Sequence, residues 1–212
     1  LTPGATYEVY GIERSDNVYY LGGNTVTVHL VPAKPIIGDY ENVTDNSREL
    51  HIESHGLLGN NVTYTIERSE ADKDDYQVIA ENMDVLDTYT DENCLFDLSG
   101  EMPRMLNYKY RAKIVCSDME GDYATRDTSK KISDQTIKIS AITKAETNND
   151  VSVFNIIYVD SGETYAFYRE AGSGSEWKIV NSSTIKGLTP GATYEVYGIE
   201  RSDNVYYLGG NT

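Results

Sequence analysis

Several features that catalytic and membrane proteins use are scarce or missing in this chain. It has two cysteines, three histidines and one tryptophan in 212 residues. Gly-x-Ser-x-Gly elbows, phosphate-binding loops and dinucleotide fingerprints are absent. No apolar run reaches the roughly 20 residues that a membrane-spanning helix needs. We therefore expect neither an enzyme nor a protein that inserts directly into a membrane, and no cofactor unless calcium binds.

Positive charge is also scarce. The chain has 18 Lys and Arg residues against 34 Asp and Glu residues, for a formal net charge of −16. A surplus of this sign repels the phosphates of nucleic acids and anionic membrane surfaces, so nucleic acid is not expected as a partner. Two interpretations of the surplus remain open, namely solubility with repulsion between neighbours, or calcium binding.

Helix-forming stretches rich in Leu, Met and Ala are absent too, whereas the chain contains 18 tyrosines. Aromatic and β-branched residues favour strands. Apolar and polar residues alternate with a period of two in segments such as 164–169 and 194–199. The sequence therefore predicts an all-β fold, with helix as a minor element at most.

The strongest feature of the sequence is an internal repeat. Residues 1–25 recur without a change as residues 188–212, an offset of 187 residues. Shared physical constraints can reproduce an apolar alternation but not every exposed Glu, Arg, Ser and Asp, so the segment was duplicated at the gene level. A 187-residue unit is too long for a solenoid repeat and predicts whole domains in series. We expect a longer parent array in which residue 187 is followed by a new residue 1.

One motif within the repeat points to a family. Residues 188–199, LTPGATYEVYGI, place a Pro-Gly turn before an alternating strand. This pattern resembles the fibronectin type III family, in which Leu-x-Pro-Gly-x-x-Tyr joins the fifth and sixth strands and the tyrosine forms a tyrosine corner. The resemblance implies that role for Tyr194 and for its copy, Tyr7.

The same order of strand signals occurs between residues 35 and 133, so the resemblance extends over nearly the whole chain. Here a longer stretch, residues 97–107, replaces the Pro-Gly turn. The tryptophan usually found on the second strand is missing from both domains. A bacterial immunoglobulin-like sandwich therefore stays open as the exact topology.

The domain organisation that follows is a tandem of fibronectin type III or immunoglobulin-like β-sandwiches, arranged as beads on a string. Residues 1–31 would be the C-terminal two strands of a preceding domain, residues 32–133 one domain, and residues 134–212 a domain that lacks the end of its last strand. Residues 31–35 contain two prolines and predict a short stiff linker.

Two isolated strands cannot bury a core. Residues 1–31 are therefore expected to become ordered by packing on a neighbouring copy of the repeat. The copies would either form one covalent polymer or complement one another by strand exchange.

The two cysteines fall in one predicted domain, so an intradomain disulfide between Cys94 and Cys116 is expected in an oxidising compartment. Two strand registers are open. If Cys94 begins the fifth strand, it faces the end of the sixth strand and reaches Cys116. If residues 88–91 are the fifth strand, the two sulfurs are too far apart.

Candidate modification and metal sites lie in predicted loops and strand edges. Three Asn-x-Ser/Thr sequons mark Asn42, Asn61 and Asn181 as glycosylation candidates in a eukaryote or an archaeon. Two acidic groups are the best calcium candidates, although neither has EF-hand spacing: Asp39, Glu41 and Asp45, and Asp72, Asp74 and Asp75.

The resemblance and the repeat together imply a structural or adhesive role. The leading hypothesis is a repeat unit of a long extracellular filament, stalk or cell-surface appendage, with neighbouring copies of the repeat as its partners. The alternative is an array of non-catalytic spacer or binding modules, glycan-binding ones included, attached to a secreted enzyme or receptor.

Overall fold

Every regular element in the described part of this computed structural model is a β-strand, so the expected all-β fold class is confirmed. The structure describes residues 1–2, 4–38, 41–44, 46–55, 61–84, 88–117, 119–128, 130–139, 141–148, 151–157, 162–203, 205–210 and 212. For residues 41–44, 141–148 and 151–157 it describes the backbone alone. Within these ranges, no helix has the length and hydropathy that a membrane crossing requires.

The strands of the described ranges are, in chain order, β1 (Thr6–Val9), β2 (Ile12–Ser15), β3 (Val18–Leu21), β4 (Val26–His29), β5 (Ile36–Ile37), β6 (Glu41–Thr44), β7 (Ser47–Leu50), β8 (Ile52–Glu53), β9 (Val62–Glu70), β10 (Gln77–Asp84), β11 (Tyr89–Asp91), β12 (Phe96–Asp97), β13 (Arg104–Met105), β14 (Tyr108–Cys116), β15 (Met119–Glu120), β16 (Ala124–Asp127), β17 (Lys131–Ile137), β18 (Ala141–Asn148), β19 (Val151–Ile157), β20 (Glu163–Glu170), β21 (Lys178–Val180), β22 (Thr184–Leu188), β23 (Tyr194–Ser202) and β24 (Val205–Gly209).

The chain forms two compact units whose boundaries differ from the expected ones. The first unit comprises Leu1–Asp39, Leu50–Tyr89 and Lys109–Asp127, and the second comprises Tyr40–Glu49, Thr90–Tyr108 and Thr128–Thr212. Residues 1–31 therefore belong to the first unit and do not stand apart. The expected domain of residues 32–133 is divided, because the middle of the chain contributes its apolar residues to the second unit.

The largest sheet of the first unit has the strand order β10-β9-β14-β15, with β16 also paired to β14. Its central strand, β14, alternates strictly: Tyr110, Ala112, Ile114 and Cys116 are buried, and the residues between them are partly exposed. This alternation is the period-two pattern of a strand that buries one of its two faces. The inward face of β14 packs with buried residues of β9, Tyr64 and Ile66.

The outer face of this sheet is ordered by a stack of aromatic rings and cations. The guanidinium of Arg111 lies 4.1 Å from the ring centre of Tyr76 and 4.2 Å from that of Tyr123. Its Nε donates to Glu67 Oε2 at 2.6 Å, and the hydroxyl of Tyr123 donates to the same carboxylate. Each charged group thus has an opposite charge or a π face beside it.

The N-terminal segment is anchored to the first unit at two points. A Cβ on Gly4, whose φ is +79°, would lie 2.9 Å from Cβ of Cys116, so glycine permits this close approach. Pro32 and Pro35 are buried, and the carbonyl of Pro32 lies against Gly121. In the expected linker of residues 31–35, the two prolines are thus buried in the first unit, whereas Val31, Ala33 and Lys34 are exposed.

The second unit is built on a five-stranded sheet with the order β17-β24-β23-β20-β21. One face of this sheet packs on Ile185 and Leu188 at strand β22, which belongs to the three-stranded sheet β18-β19-β22. The other face carries an aromatic core whose residues are nearly or fully buried: Tyr165, Phe167, Trp177, Tyr197, Ile199 and Tyr206.

The second face is covered by residues 94–105. Cys94, Leu95, Phe96 and Met105 join the aromatic core, with the ring of Phe96 centred 5.0 Å from that of Phe167. Asn46 fixes the backbone of this segment, because its Oδ1 accepts from the amide of Phe96 at 2.7 Å and its Nδ2 donates to the carbonyl of Phe96 at 3.0 Å. These contacts explain why residues 40–49 and 90–108 belong to the second unit.

The second unit also contains a lysine amine in a poorly solvated position. Lys130 Nζ donates to the carbonyl of Leu106 at 3.2 Å and lies 6.0 Å from the ring centre of Tyr206. Burial, reinforced by the positive charges of Arg48 and Arg201, lowers the pKa of Lys130 from 10.5 to about 7. The folded state therefore gives up this proton at a lower pH than the unfolded state does.

This shift predicts a pH-dependent stability. Above pH 7 the unfolded chain holds more protons at Lys130 than the folded chain, so the free energy of unfolding rises with pH by at most about 1.4 kcal/mol per unit up to pH 10. Lys130→Met should remove that slope and stabilise the second unit by roughly 1–3 kcal/mol at pH 6. Urea unfolding followed by fluorescence of Trp177, the sole tryptophan, measures both effects. Lys131→Met at an exposed neighbour is the control, and equal pH slopes for the two variants would contradict the assignment.

Candidate interaction surface

The two copies of the 25-residue segment have different surroundings. The second copy, which we call the seated copy, lies within a sheet and pairs with neighbouring strands. Strand β23 pairs antiparallel with β20 along eight positions, from Glu163 opposite Arg201 to Glu170 opposite Tyr194. On its other edge β23 pairs with β24, which in turn pairs in parallel with β17. Both edges of β23 are thus covered.

The first copy forms the same hairpin without those neighbours. Ile12 opposes Leu21 and Arg14 opposes Tyr19, which is the register of Ile199 with Leu208 and Arg201 with Tyr206 in the second copy. Asp16 and Asn17 have φ values of 50° and 62°, as a two-residue type I′ turn requires. The hairpin is therefore encoded locally.

Burial separates the two copies. Ile12, Tyr19 and Leu21 are 58%, 64% and 70% exposed, whereas Ile199 is 0% and Tyr206 7% exposed. Every residue of the four strands β1 to β4 is exposed, except Tyr7, which is half-buried. The first copy thus presents to solvent the apolar side chains that complete a core in the second.

The two copies also differ in the continuity of their strands. Residues 194–202 form one continuous strand, but the matching residues 7–15 are divided between β1 and β2 at Tyr10 and Gly11. In the described residues β1 pairs with β4 alone and β2 with β3 alone, as two-stranded sheets. We define the open edge as the side of β1 and β2 that faces away from β4 and β3. It corresponds to the side of β23 that β20 covers.

The two tyrosines implied by the resemblance make equivalent contacts. The hydroxyl of Tyr194 accepts from the amide of Thr189 at 3.0 Å, and that of Tyr7 accepts from the amide of Thr2 at 2.6 Å. The hydrogen bonds from Thr2 lower the pKa of Tyr7. A hydroxyl that binds the backbone a few residues upstream is the contact expected of a tyrosine corner. The hydrogen bond forms in the exposed copy as well, and the tyrosine-corner role stays a prediction for both residues.

The expected disulfide is not formed in the structure. Cys94 and Cys116 are each a buried thiol, and each lies within a different compact unit. Cys94 packs in the aromatic core near Asn46, whereas Cys116 ends β14 against Gly4. Burial raises the pKa of the Cys116 thiol. The two cysteines do not share a compact unit as expected, because the intervening residues are divided between the two units. Their pairing in an oxidising compartment stays a prediction.

The calcium candidates do not assemble into a site in the described residues, where no three His, Cys, Asp or Glu side chains are grouped to hold a metal. Asp72, Asp74 and Asp75 are exposed in the turn between β9 and β10. Lys109 Nζ lies 2.6 Å from Asp74 Oδ1 and lowers the pKa of that carboxyl, and Gln77 donates to Asp75 at 2.9 Å. Asp39 and Asp45 lie outside the described residues, and of Glu41 the backbone alone is described, in β6.

The glycosylation candidates are placed as follows. Asn61 and Asn181 are exposed, and Asn181 Nδ2 donates to Glu163 Oε1 at 2.9 Å. The backbone of Asn42 lies in β6. Attachment of glycans stays a prediction for all three.

Ion pairs beside the hairpin had not been predicted from the sequence. Arg169 Nε lies 2.6 Å from Glu195 Oε2, and Arg201 Nη1 lies 3.1 Å from Glu163 Oε2. Glu8 and Arg14 hold the matching positions of the first copy and are exposed. The repeat does show that both copies carry the same Glu and Arg residues. Their partners on β20, Arg169 and Glu163, can be identified only from the strand register.

Comparisons with known proteins add little to this description. No family model matches the chain, and no curated protein matches it. Among solved structures, the chain is similar to the FN1-FN3 domains of chicken CNTN1, with 13% identity and a TM-score of 0.34 over 97% of this chain and 75% of that one. A similarity this low carries no argument about function.

The two copies provide a matched test of the burial difference. Ile199→Ala should destabilise the second unit by about 2–5 kcal/mol, since it opens a cavity beside Phe167 and Tyr197. Ile12→Ala, the same change in the same sequence, should alter stability by less than about 0.5 kcal/mol. Urea unfolding followed by Trp177 fluorescence and by circular dichroism measures both. A loss of comparable size for Ile12→Ala would show that the first copy is covered.

Proposed function

We propose that this chain is a non-catalytic structural or adhesive module of an extracellular filament, stalk or cell-surface appendage, and that its partners are neighbouring copies of the same module. The observation that carries the proposal is the exposed first copy of the repeated hairpin. A sandwich module with an uncovered closing hairpin is suited to joining other modules of its kind.

Charge supports the same role. A net charge of −16 keeps such modules soluble and apart until a specific contact forms. The aromatic core of the second unit and the cation stack on β14 of the first provide the internal packing that an extended appendage needs. The exposed sequons at Asn61 and Asn181 fit an extracellular setting, although glycans are not required for it.

A second candidate function is that of a spacer or binding module of a secreted enzyme or receptor, and one cleft favours it. The second unit has a cavity of about 310 Å³ lined by polar and charged groups, among them Asn93, Asp97, Ser99, Arg104 and Glu176. Hydroxyl-rich ligands such as glycans are recognised by convergent groups of this kind. The cleft is open to solvent, and its lining residues Arg104 and Asp97 already pair with each other at 3.6 Å, so we rank this function second.

Immunoelectron microscopy of the source cells with antibodies against this chain tests the proposal. We expect label along filaments or at regular intervals on surface appendages. Label confined to the cytoplasm would contradict the proposal. Label on a secreted enzyme or receptor without fibres would favour the second candidate, and binding of the purified chain on a glycan array would then be expected.

A further inference from the structure

The second copy of the hairpin reveals what the first copy is built to contact. The two copies share their sequence and their internal register. The stacking of Arg14 on Tyr19 at 5.6 Å is repeated by Arg201 on Tyr206 at 5.7 Å. Because the two hairpins have the same sequence and register, the residues that surround the second hairpin define a binding site for the first.

That site is the edge of β20. In the seated copy, Tyr165 opposes Ile199, Phe167 opposes Tyr197 and Arg169 opposes Glu195. If β20 paired with the first copy in the same register, Tyr165 would lie opposite Ile12, Phe167 opposite Tyr10 and Arg169 opposite Glu8. The other ion pair becomes Glu163 with Arg14. Apolar and charged positions match along the whole strand.

The first copy is free to receive a strand on this side. Strands β4 and β3 occupy the opposite edge of β1 and β2, so the open edge carries no strand in the residues that the structure describes. An uncovered edge with unpaired amides and carbonyls is a template for a further strand. The interruption at Tyr10 and Gly11 closes in the seated copy, where one long partner strand runs beside it.

We propose that the open edge binds β20 of a second copy of this chain, in the register that β23 uses, whenever that copy's own β23 is not seated. The first hairpin then acts in trans as a closing hairpin and completes the aromatic core of its neighbour. This inference rests on the proposed function, because it requires that copies of the module meet.

Competition sets the condition on binding. In an intact copy the resident β23 is joined to β20 through residues 171–193 of the same chain, so its effective local concentration exceeds that of a hairpin on a separate copy. An incoming hairpin makes the same contacts and also loses translational freedom. The intact chain should therefore stay closed, and binding in trans should follow once β23 is weakened.

The full chain with Ile199→Asp tests this, since a carboxylate in the aromatic core releases β23. We expect this variant to associate in a concentration-dependent manner by sedimentation, with the fluorescence of Trp177 restored to its buried state on association. The double variant I12D/I199D carries the same change in both hairpins and should remain unassociated, with Trp177 exposed. I12D alone should behave as the unaltered monomer. Equal association of I199D and I12D/I199D, or association that leaves Trp177 exposed, would overturn the proposal.

A charge reversal tests the register without a buried carboxylate. Glu163→Arg places two cations together at Arg201 within one copy, while Arg14→Glu offers the reversed residue an anion in trans. We expect E163R/R14E to self-associate roughly tenfold more tightly than E163R alone, an effect that high salt should weaken. Identical association constants would exclude the proposed pairing.

Failure of these two experiments leaves the proposed function standing if fibres are labelled by the antibody. Conversely, the variants could associate in trans while the source cells show neither antibody label nor fibres. That result would support the proposed contact and contradict the proposed function.

Discussion

The pairing of β20 with β23 is the constraint on which the rest of this structure depends. It places Tyr165 and Phe167 beside Ile199 and Tyr197, and so joins the strands that surround the aromatic core of the second unit. Where this partner is present, residues 194–202 form one strand. Where it is missing, the strand is interrupted at Tyr10 and Gly11, and the apolar side chains of the same sequence are exposed. Tertiary context here decides strand continuity, whereas the hairpin register is decided locally.

The second unit shows how non-local the core is. Asn46, Phe96 and Phe167 come from distant parts of the chain, and the amide of Asn46 fixes the backbone of Phe96 on both its donor and acceptor sides. A buried side-chain amide is stable when its donor and acceptor groups are bound, as they are here. Three separate segments must therefore meet before the core is closed, which is consistent with a late and cooperative assembly of the unit.

These features mark what sequence could and could not predict. The strands at 163–170 and 194–202 contain the segments 164–169 and 194–199 where alternation placed strands, because period two follows directly from the pleat. The domain boundaries and the disulfide depended on pairing partners, and no local pattern reveals that residues 94–105 pack on Trp177. The sequence shows that residues 97–107 differ from a Pro-Gly turn. The packing of this stretch depends on Asn46, and no pattern in the sequence predicts that role for Asn46.

The exposed hairpin finally poses a problem of specificity. An open edge on a hairpin that exposes Ile12, Tyr19 and Leu21 favours indiscriminate pairing with other strands. A net charge of −16 opposes close approach of two copies, but its reach at physiological ionic strength is about 8 Å. Inside that distance the match between Glu8, Arg14 and the charges of β20 selects one partner and one register. The type I′ turn and internal register exist before contact, so little ordering entropy opposes a correct encounter.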